Sequence, residues 1–317
     1  MSRIKHIHRV AVLDKIVIPY PAFSTVINNI NDCIMKTEAY REPVGCLLLG
    51  RGGMGKSTIS RAVLSTMKRS TKRDGAVEKT IVPGFYSEIP SPVTVKGVAA
   101  NMLRDLGAPP SSKSATHSDL KIRLCTLLAA AETKFIFIDE THNLFLKGNR
   151  STSSHAEVYT WLIELVNKAK VSFCLAGIPE FAPYLSADSQ LLRRFPMQLH
   201  LIPLLPGDQS QPGPLIPFLT HLMREATARL QLTAAPKLDD LFSCTQVFAA
   251  TAGNPSFIVS LVKETALHAL GEGRQHVSID DFAAAWDGGM VSGSTLVKEN
   301  PFRMSEAGLA GALRRSV

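Results

Sequence analysis

Between residues 44 and 202 the chain alternates short, almost continuously apolar runs with longer stretches in which apolar residues recur every three or four positions. The runs VGCLLL (44–49), TIVPGFYSEI (80–89), KFIFID (134–139), VSFCLA (171–176) and MQLHLI (197–202) have strand length and little polar alternation, which predicts parallel strands buried on both faces. Helical patterns fall between them, at about 56–69, 96–106, 117–131, 154–169 and 179–186. The expected class is α/β: a parallel five-stranded sheet flanked by helices.

On either side the rhythm changes. Residues 1–43 read as an N-terminal extension, with His6 and His8 in a basic, strand-like start, followed by a packing helix in which Phe23, Val26, Ile27, Ile30 and Ile34 share helical spacing. The α/β core is expected over 44–205. After the Pro- and Gly-rich stretch PLLPGDQSQPGPLIP the pattern is wholly helical, near 214–231, 237–251, 256–270 and 279–286. Ser278 and Asp281 open the last of these as a capping-box pair. A small helical domain is therefore expected over 206–287, and a flexible, glycine- and serine-rich tail over 288–317 whose apolar positions would be buried by a partner.

Composition adds a few bounds. The 317 residues are 45% hydrophobic, enough for a globular core, and the net charge of +8 favours a polyanionic partner. Cys33, Cys46, Cys125, Cys174 and Cys244 are odd in number and mostly lie among apolar neighbours, so they read as reduced, buried thiols. No run approaches a membrane span and the basic start has no apolar signal core behind it. A soluble, cytoplasmic protein without a membrane partner is expected.

Chemistry concentrates at two strand ends. In GRGGMGKSTISRAV (50–63), Gly50, Gly55, Lys56 and Ser57 fill the phosphate-loop pattern G-x-x-x-x-G-K-[ST] between a predicted strand and a predicted helix. Gly50, Gly52, Gly53, Met54, Gly55, Lys56, Ser57 and Thr58 would cradle the phosphates with backbone N–H groups at a helix start. Lys56 would meet the β and γ oxygens, and Ser57 would hold Mg²⁺. FIFIDE (135–140) supplies Asp139, placed to order water around Mg²⁺, and Glu140, placed to take a proton from the attacking water. Together these predict an NTPase using ATP and Mg²⁺. His142 has no second metal ligand at helical spacing and reads as a structural or DNA-side residue.

IDETHNL (138–144), VSFCLAGIPEF (171–181) and SADSQLLRRF (186–195) resemble the AAA+ ATPases of the TniB/TnsC family, target-selection regulators of DNA transposons. The resemblance implies a P-loop NTPase core with a small α-helical lid, assembled as a ring or filament on duplex DNA in the bacterial cytoplasm at the nucleoid. It further implies an arginine finger acting on a neighbouring subunit, for which Arg194, beside Phe195, is preferred and Arg193 is the alternative. Backbone contacts to DNA are carried onto Thr94 and Lys96, and more loosely onto Lys68, Arg69 and Lys72 in MKRSTKR; Lys113 and Arg150 are weaker candidates. The alternative for MKRSTKR is a solvated helix end whose cations complement the helix dipole. No zinc spacing or recognition-helix signature supports base-specific reading.

By the same resemblance the partners are a transposase, met through the C-terminal tail, and a TniQ-like target selector, including selectors guided by CRISPR complexes. Two departures point to slow hydrolysis used as a switch: Ile178 where the family often has a polar sensor, and Ser256 where related ATPases carry a sensor arginine. The competing readings are a replication initiator or helicase loader, and an ExeA-like secretion ATPase that does not bind DNA.

Overall fold

In chain order the elements are helix α1 (Arg3–Val10), α2 (Pro21–Ala39), strand β1 (Cys46–Leu49), α3 (Lys56–Leu64), β2 (Ser70–Asp74), β3 (Val77–Ile81), β4 (Gly84–Glu88), α4 (Val95–Leu106), α5 (His117–Ala130), β5 (Phe135–Asp139), α6 (Ser153–Ala169), β6 (Ser172–Gly177), α7 (Ser189–Arg194) and β7 (Met197–His200). Five more helices follow: α8 (Leu215–Leu230), α9 (Leu241–Thr251), α10 (Pro255–Gly271), α11 (Ile279–Asp287) and α12 (Glu306–Arg314). This computed structural model describes residues 3–40, 42–75, 77–144, 153–183, 189–208 and 210–315. The chain divides into two compact units, Ala22–Leu201 and the N-terminal stretch up to Pro21 together with everything from Ile202 onward.

In the first unit all five apolar runs contribute a strand to one parallel sheet of order β4-β5-β6-β1-β7, the run over 80–89 only from Gly84, since its first residues Thr80 and Ile81 end β3. The three central strands, β5, β6 and β1, are buried on both faces, as their continuous apolar sequence requires, while Glu88 on the edge strand β4 and Gln198 and His200 on the edge strand β7 are exposed. Leu47, Ile136, Ile138, Phe173 and Leu175 pack with Val98, Met102, Leu124, Leu128, Trp161 and Leu165 of α4, α5 and α6. Cys46 and Cys174 are register partners, and the Cys46 thiol hydrogen-bonds with those of Cys174 and Cys33. The bond to Cys46, with burial, pushes the Cys33 thiol far above its ordinary range, so it is inert at neutral pH. Because every strand runs the same way, all C-terminal ends share one edge. The chain leaves β1 for the far strand β4 and works back, which opens the sheet for a ligand at the end of β1.

The helix expected to run to 69 stops at Leu64, and residues 70–81 form an antiparallel hairpin of β2 and β3. Val63 is the last buried residue of α3, and from Lys68 to Gly75 the chain has no apolar residue with which to bury a helix face. Ladder hydrogen bonds satisfy the backbone instead, with Gly75 at φ 62° inside the turn and Ile81 buried at the base.

The second unit departs from the expected boundaries at both chain ends. The strand-like start is a helix: α1 packs against α10, Val10 and Leu13 are buried, and Arg9 donates to the Leu230 carbonyl. Residues 1–21 thus belong with the helical unit, and 22–43 with the α/β unit. The segment from 288 is not a loose tail, because Val291, Val297, Phe302 and Leu309 are buried. Gln246 donates to the Pro301 carbonyl at 2.9 Å, and Asn300 to the Ala283 carbonyl at 2.9 Å. Its scattered apolar residues already have an intramolecular face. Among the described residues no helix is long and apolar enough to cross a membrane.

Ser278 and Asp281 form the expected capping box, and the carboxylate does more. Asp281 is fully buried and accepts from Arg274, from His268 at 2.7 Å and from the Ser278 N–H at 2.8 Å. Burial alone would raise its pKa, but these bonds, Arg274 first, hold the carboxyl well below the usual range. A depressed folded pKa contributes stability that is complete above the unfolded value, near 4, and lost as pH falls below it. Asp281→Ala is expected to cost on the order of 3 kcal/mol by leaving Arg274 and His268 without their carboxylate. Urea unfolding followed at neutral pH and at pH 3 checks both statements: the gap between the two proteins should shrink in acid.

Candidate nucleotide site

The loop after β1 is shaped by its glycines. The Gly50 N–H donates to the Gly177 carbonyl at 3.0 Å, and a Cβ there would lie 2.9 Å from that of Leu201, so no side chain fits without displacement. Gly53 and Gly55 have φ of 77° and 94°, left-handed values costly for other residues. Gly55 caps α3, its carbonyl taking the Thr58 and Ile59 N–H groups. Added Cβ atoms at Gly52 or Gly55 would meet nothing within 4 Å, so this face of the loop is open, while Met54 is buried and anchors it from the other side.

Lys56 arches back over the loop, its Nζ donating to the Gly50 carbonyl at 2.8 Å and the Arg51 carbonyl at 3.4 Å. Ser57 is exposed in the first turn of α3, and its hydroxyl makes no hydrogen bond among the described residues. The Thr58 hydroxyl accepts from Arg61 at 3.4 Å. An open glycine cradle, a cation spanning it and a hydroxyl at the start of a nine-residue helix fit a phosphate chain with Mg²⁺.

Asp139 ends β5, two strands from β1 on the same sheet edge. It is 3% exposed and accepts the Glu140 N–H at 2.8 Å. Sequence reasoning missed two neighbours. Glu88 is the register partner of Asp139 on β4, and the Tyr86 hydroxyl lies 2.6 Å from Glu88 and 3.2 Å from Asp139. Burial, then the hydrogen bond to Glu88, pushes the Tyr86 phenol well above its ordinary range, so it is a permanent donor there. The signal was present in the polar end of TIVPGFYSEI, whose alternate positions Tyr86 and Glu88 fall on one side of the strand. Paired acids at adjacent strand ends suit a divalent cation.

Arg193 and Arg194 separate clearly. The Arg194 guanidinium donates to Asn167 at 2.6 Å and Glu42 at 2.6 Å, and its side chain is 11% exposed. It ties α7 to α6 and to the segment after α2, a structural role that conflicts with the preference for it as the finger. Arg193 is exposed.

The basic candidates lie on and around the hairpin. Lys68 is exposed, Arg69 donates to the Asp105 carbonyl at 2.5 Å, and Lys72 pairs with Glu132 at 2.5 Å. Lys68 and Arg69 stand before β2 and Lys72 lies on it, so none sits at a helix end. Thr94 caps α4, its hydroxyl accepting the Gly97 N–H at 3.0 Å, and Lys96 donates to the Lys113 carbonyl at 3.0 Å. Arg150 lies outside the described residues.

Comparison with known proteins gives a family and a fold. The family described as Bacterial TniB protein matches residues 4–202. No curated protein sequence matches the chain. Among solved structures, the Aeropyrum pernix ORC2 protein in its ADPNP–ADP complexes superposes with a TM-score of 0.62 at 14% identity, over 87% of this chain and 71% of that one. The ORC1 protein of the same organism, in complex with DNA, gives 0.59 at 14% identity over 88% and 69%. Cdc6p from Pyrobaculum aerophilum gives 0.59 at 12% identity over 87% and 69%. At such identities the likeness is one of fold: an AAA+ ATPase fold.

Proposed function

The chain belongs to the TniB family, and from that premise we propose that it is an ATP-dependent DNA-binding regulator of DNA transposition, assembling on duplex target DNA and linking a target selector to a transposase. One observation carries the nucleotide half: the Gly50–Ser57 loop and the Asp139–Glu140 pair stand on the same C-terminal edge of one parallel sheet. The loop N–H groups and Lys56 would hold the phosphates, and Ser57 and Asp139 the Mg²⁺. Bound Mg²⁺ supplies neutralisation of phosphate charge. Glu140 accepts the proton of the attacking water, and Arg193, free of the ties that hold Arg194, reaches the phosphates of a neighbouring copy. Ile178 at the end of β6 and Ser256 in the first turn of α10 add no charge, in keeping with slow hydrolysis that resets the assembly.

The exposed basic residues Lys68, Arg69, Lys72 and Lys96, with the capped helix start at Thr94, support contact with the phosphate backbone. The transposase contact is assigned to the exposed face of the packed segment 288–315, and a TniQ-like protein to the selector side. Family membership favours this reading over a helicase loader or a secretion ATPase. Binding of random-sequence duplexes, measured by anisotropy with a non-hydrolysable ATP analogue, should weaken at least about tenfold between 50 and 200 mM salt. Substituting Lys68, Arg69 and Lys72 together by alanine should weaken it equally for all sequences and lower the salt slope by about 2 to 3. Affinity indifferent to salt would remove the backbone-contact model.

A further inference from the structure

The turn after β5, Thr141–Leu144, is pinned on both sides. The Thr141 hydroxyl donates to the Ala176 carbonyl of β6 at 2.7 Å, and the Asn143 amide donates to the Ile89 carbonyl beyond β4 at 3.2 Å. Glu140, just before it, has a φ of 57°, a left-handed backbone that few non-glycine residues adopt without a local reason. The Asn143 N–H fixes that residue's own carbonyl at 2.9 Å. The two anchors and the bent backbone bring His142 to face Glu140, with Nε2 lying 3.3 Å from Oε2. The imidazole is largely buried, 17% exposed, and its Nδ1 has no hydrogen-bond partner in the protein. A proton on Nδ1 would be a buried donor without an acceptor, so the arrangement that strands no donor puts it on Nε2, aimed at Glu140.

From this geometry we infer that His142 is a positioning residue for Glu140, its Nε2–H holding the carboxylate in one orientation at the sheet edge. The inference rests on the nucleotide reading above, and deepens it by assigning the residue that aims the base. Thr141 and Asn143 anchor the turn to neighbouring strands, while His142 between them holds the group that must point at the water. A general base misaligned by rotation about its own side chain keeps its charge and loses its reach.

Two measurements test it. In protein carrying ¹⁵N-labelled histidine, NMR with His142→Gln as the assignment control should find the proton of His142 on Nε2, with a resonance that shifts in Glu140→Ala. A proton on Nδ1, or a resonance indifferent to Glu140→Ala, overturns the inference whatever the protein hydrolyses. In DNA-dependent ATP hydrolysis, His142→Ala should lower kcat about tenfold or more while leaving KM and the affinity for a fluorescent ATP analogue within about twofold. His142→Gln, whose amide N–H reaches a similar position, should recover most of kcat. Equal losses in both variants together with weaker ATP binding would mark a merely structural residue. Absence of hydrolysis in the unaltered protein would instead defeat the ATPase reading, with the NMR result still deciding the His142–Glu140 pair.

Discussion

The Glu140→Gln protein is expected to bind ATP as tightly as the unaltered chain and to hydrolyse it at least about a hundredfold more slowly. Glutamine keeps the side chain's length and its capacity to accept from His142, so the turn should not rearrange. What it lacks is a group able to take a proton from water. Asp139 stands apart from this change because its carboxylate accepts the residue-140 N–H, a backbone group unaffected by the substitution. The variant should therefore melt as the unaltered protein does and remain in its triphosphate state. Single-turnover hydrolysis alongside equilibrium binding of a fluorescent ATP analogue separates the two parts. Equal loss of binding and turnover would mean that residue 140 shapes the site rather than working in it.

Arg193→Ala should lower DNA-stimulated hydrolysis by about a thousandfold, the scale on which one guanidinium acting in trans contributes to phosphoryl transfer, without a change in melting temperature. Arg194→Ala should do the reverse. It strips Glu42 and Asn167 of a charge-assisted donor and removes a side chain only 11% exposed, for a loss of about 1–3 kcal/mol. The decisive arm mixes two inactive proteins. An Arg193→Ala subunit still owns Glu140, and a Glu140→Gln subunit still owns Arg193, so a mixed assembly contains composite sites and should regain a measurable fraction of the activity. Failure to regain any, with both variants shown to enter the same assembly, would remove Arg193 from the neighbour's site.

The same pair of arginines shows where sequence reading stops. RRF marks the place where a finger is sought, yet nothing in the run says which arginine has partners, because Glu42 is far away in the chain and meets Arg194 only in the fold. The five strands were legible for the opposite reason. The central strands β1, β5 and β6 are buried along their whole length and so carry uninterrupted apolar runs, and the edge strands β4 and β7 keep enough apolar residues, Phe85 and Leu199 among them, to read as strands. The β2–β3 hairpin was missed because its residues are almost all exposed: with no face to bury, Lys72, Arg73 and Lys79 show no alternation, and the run reads equally well as a helix end. In α1, Ile4 and Ile7 are exposed and Val10 alone is buried, so the apolar spacing does not report the face that packs. Around the phosphate loop the glycine positions dictated geometry directly, whereas Tyr86, Glu88 and the role of His142 depend on strand register and turn anchoring that become visible only once β4, β5 and β6 are paired.

Above all, nucleotide state should govern assembly on DNA. Electron microscopy of the purified full chain with duplex DNA, comparing a non-hydrolysable ATP analogue with ADP, tests this most directly. Rings or filaments on DNA are predicted with the analogue and none with ADP, with Arg193 of each subunit placed at the phosphate loop of the next. DNA-bound assemblies that form equally well with ADP, or no DNA-bound assembly in either state, would contradict it.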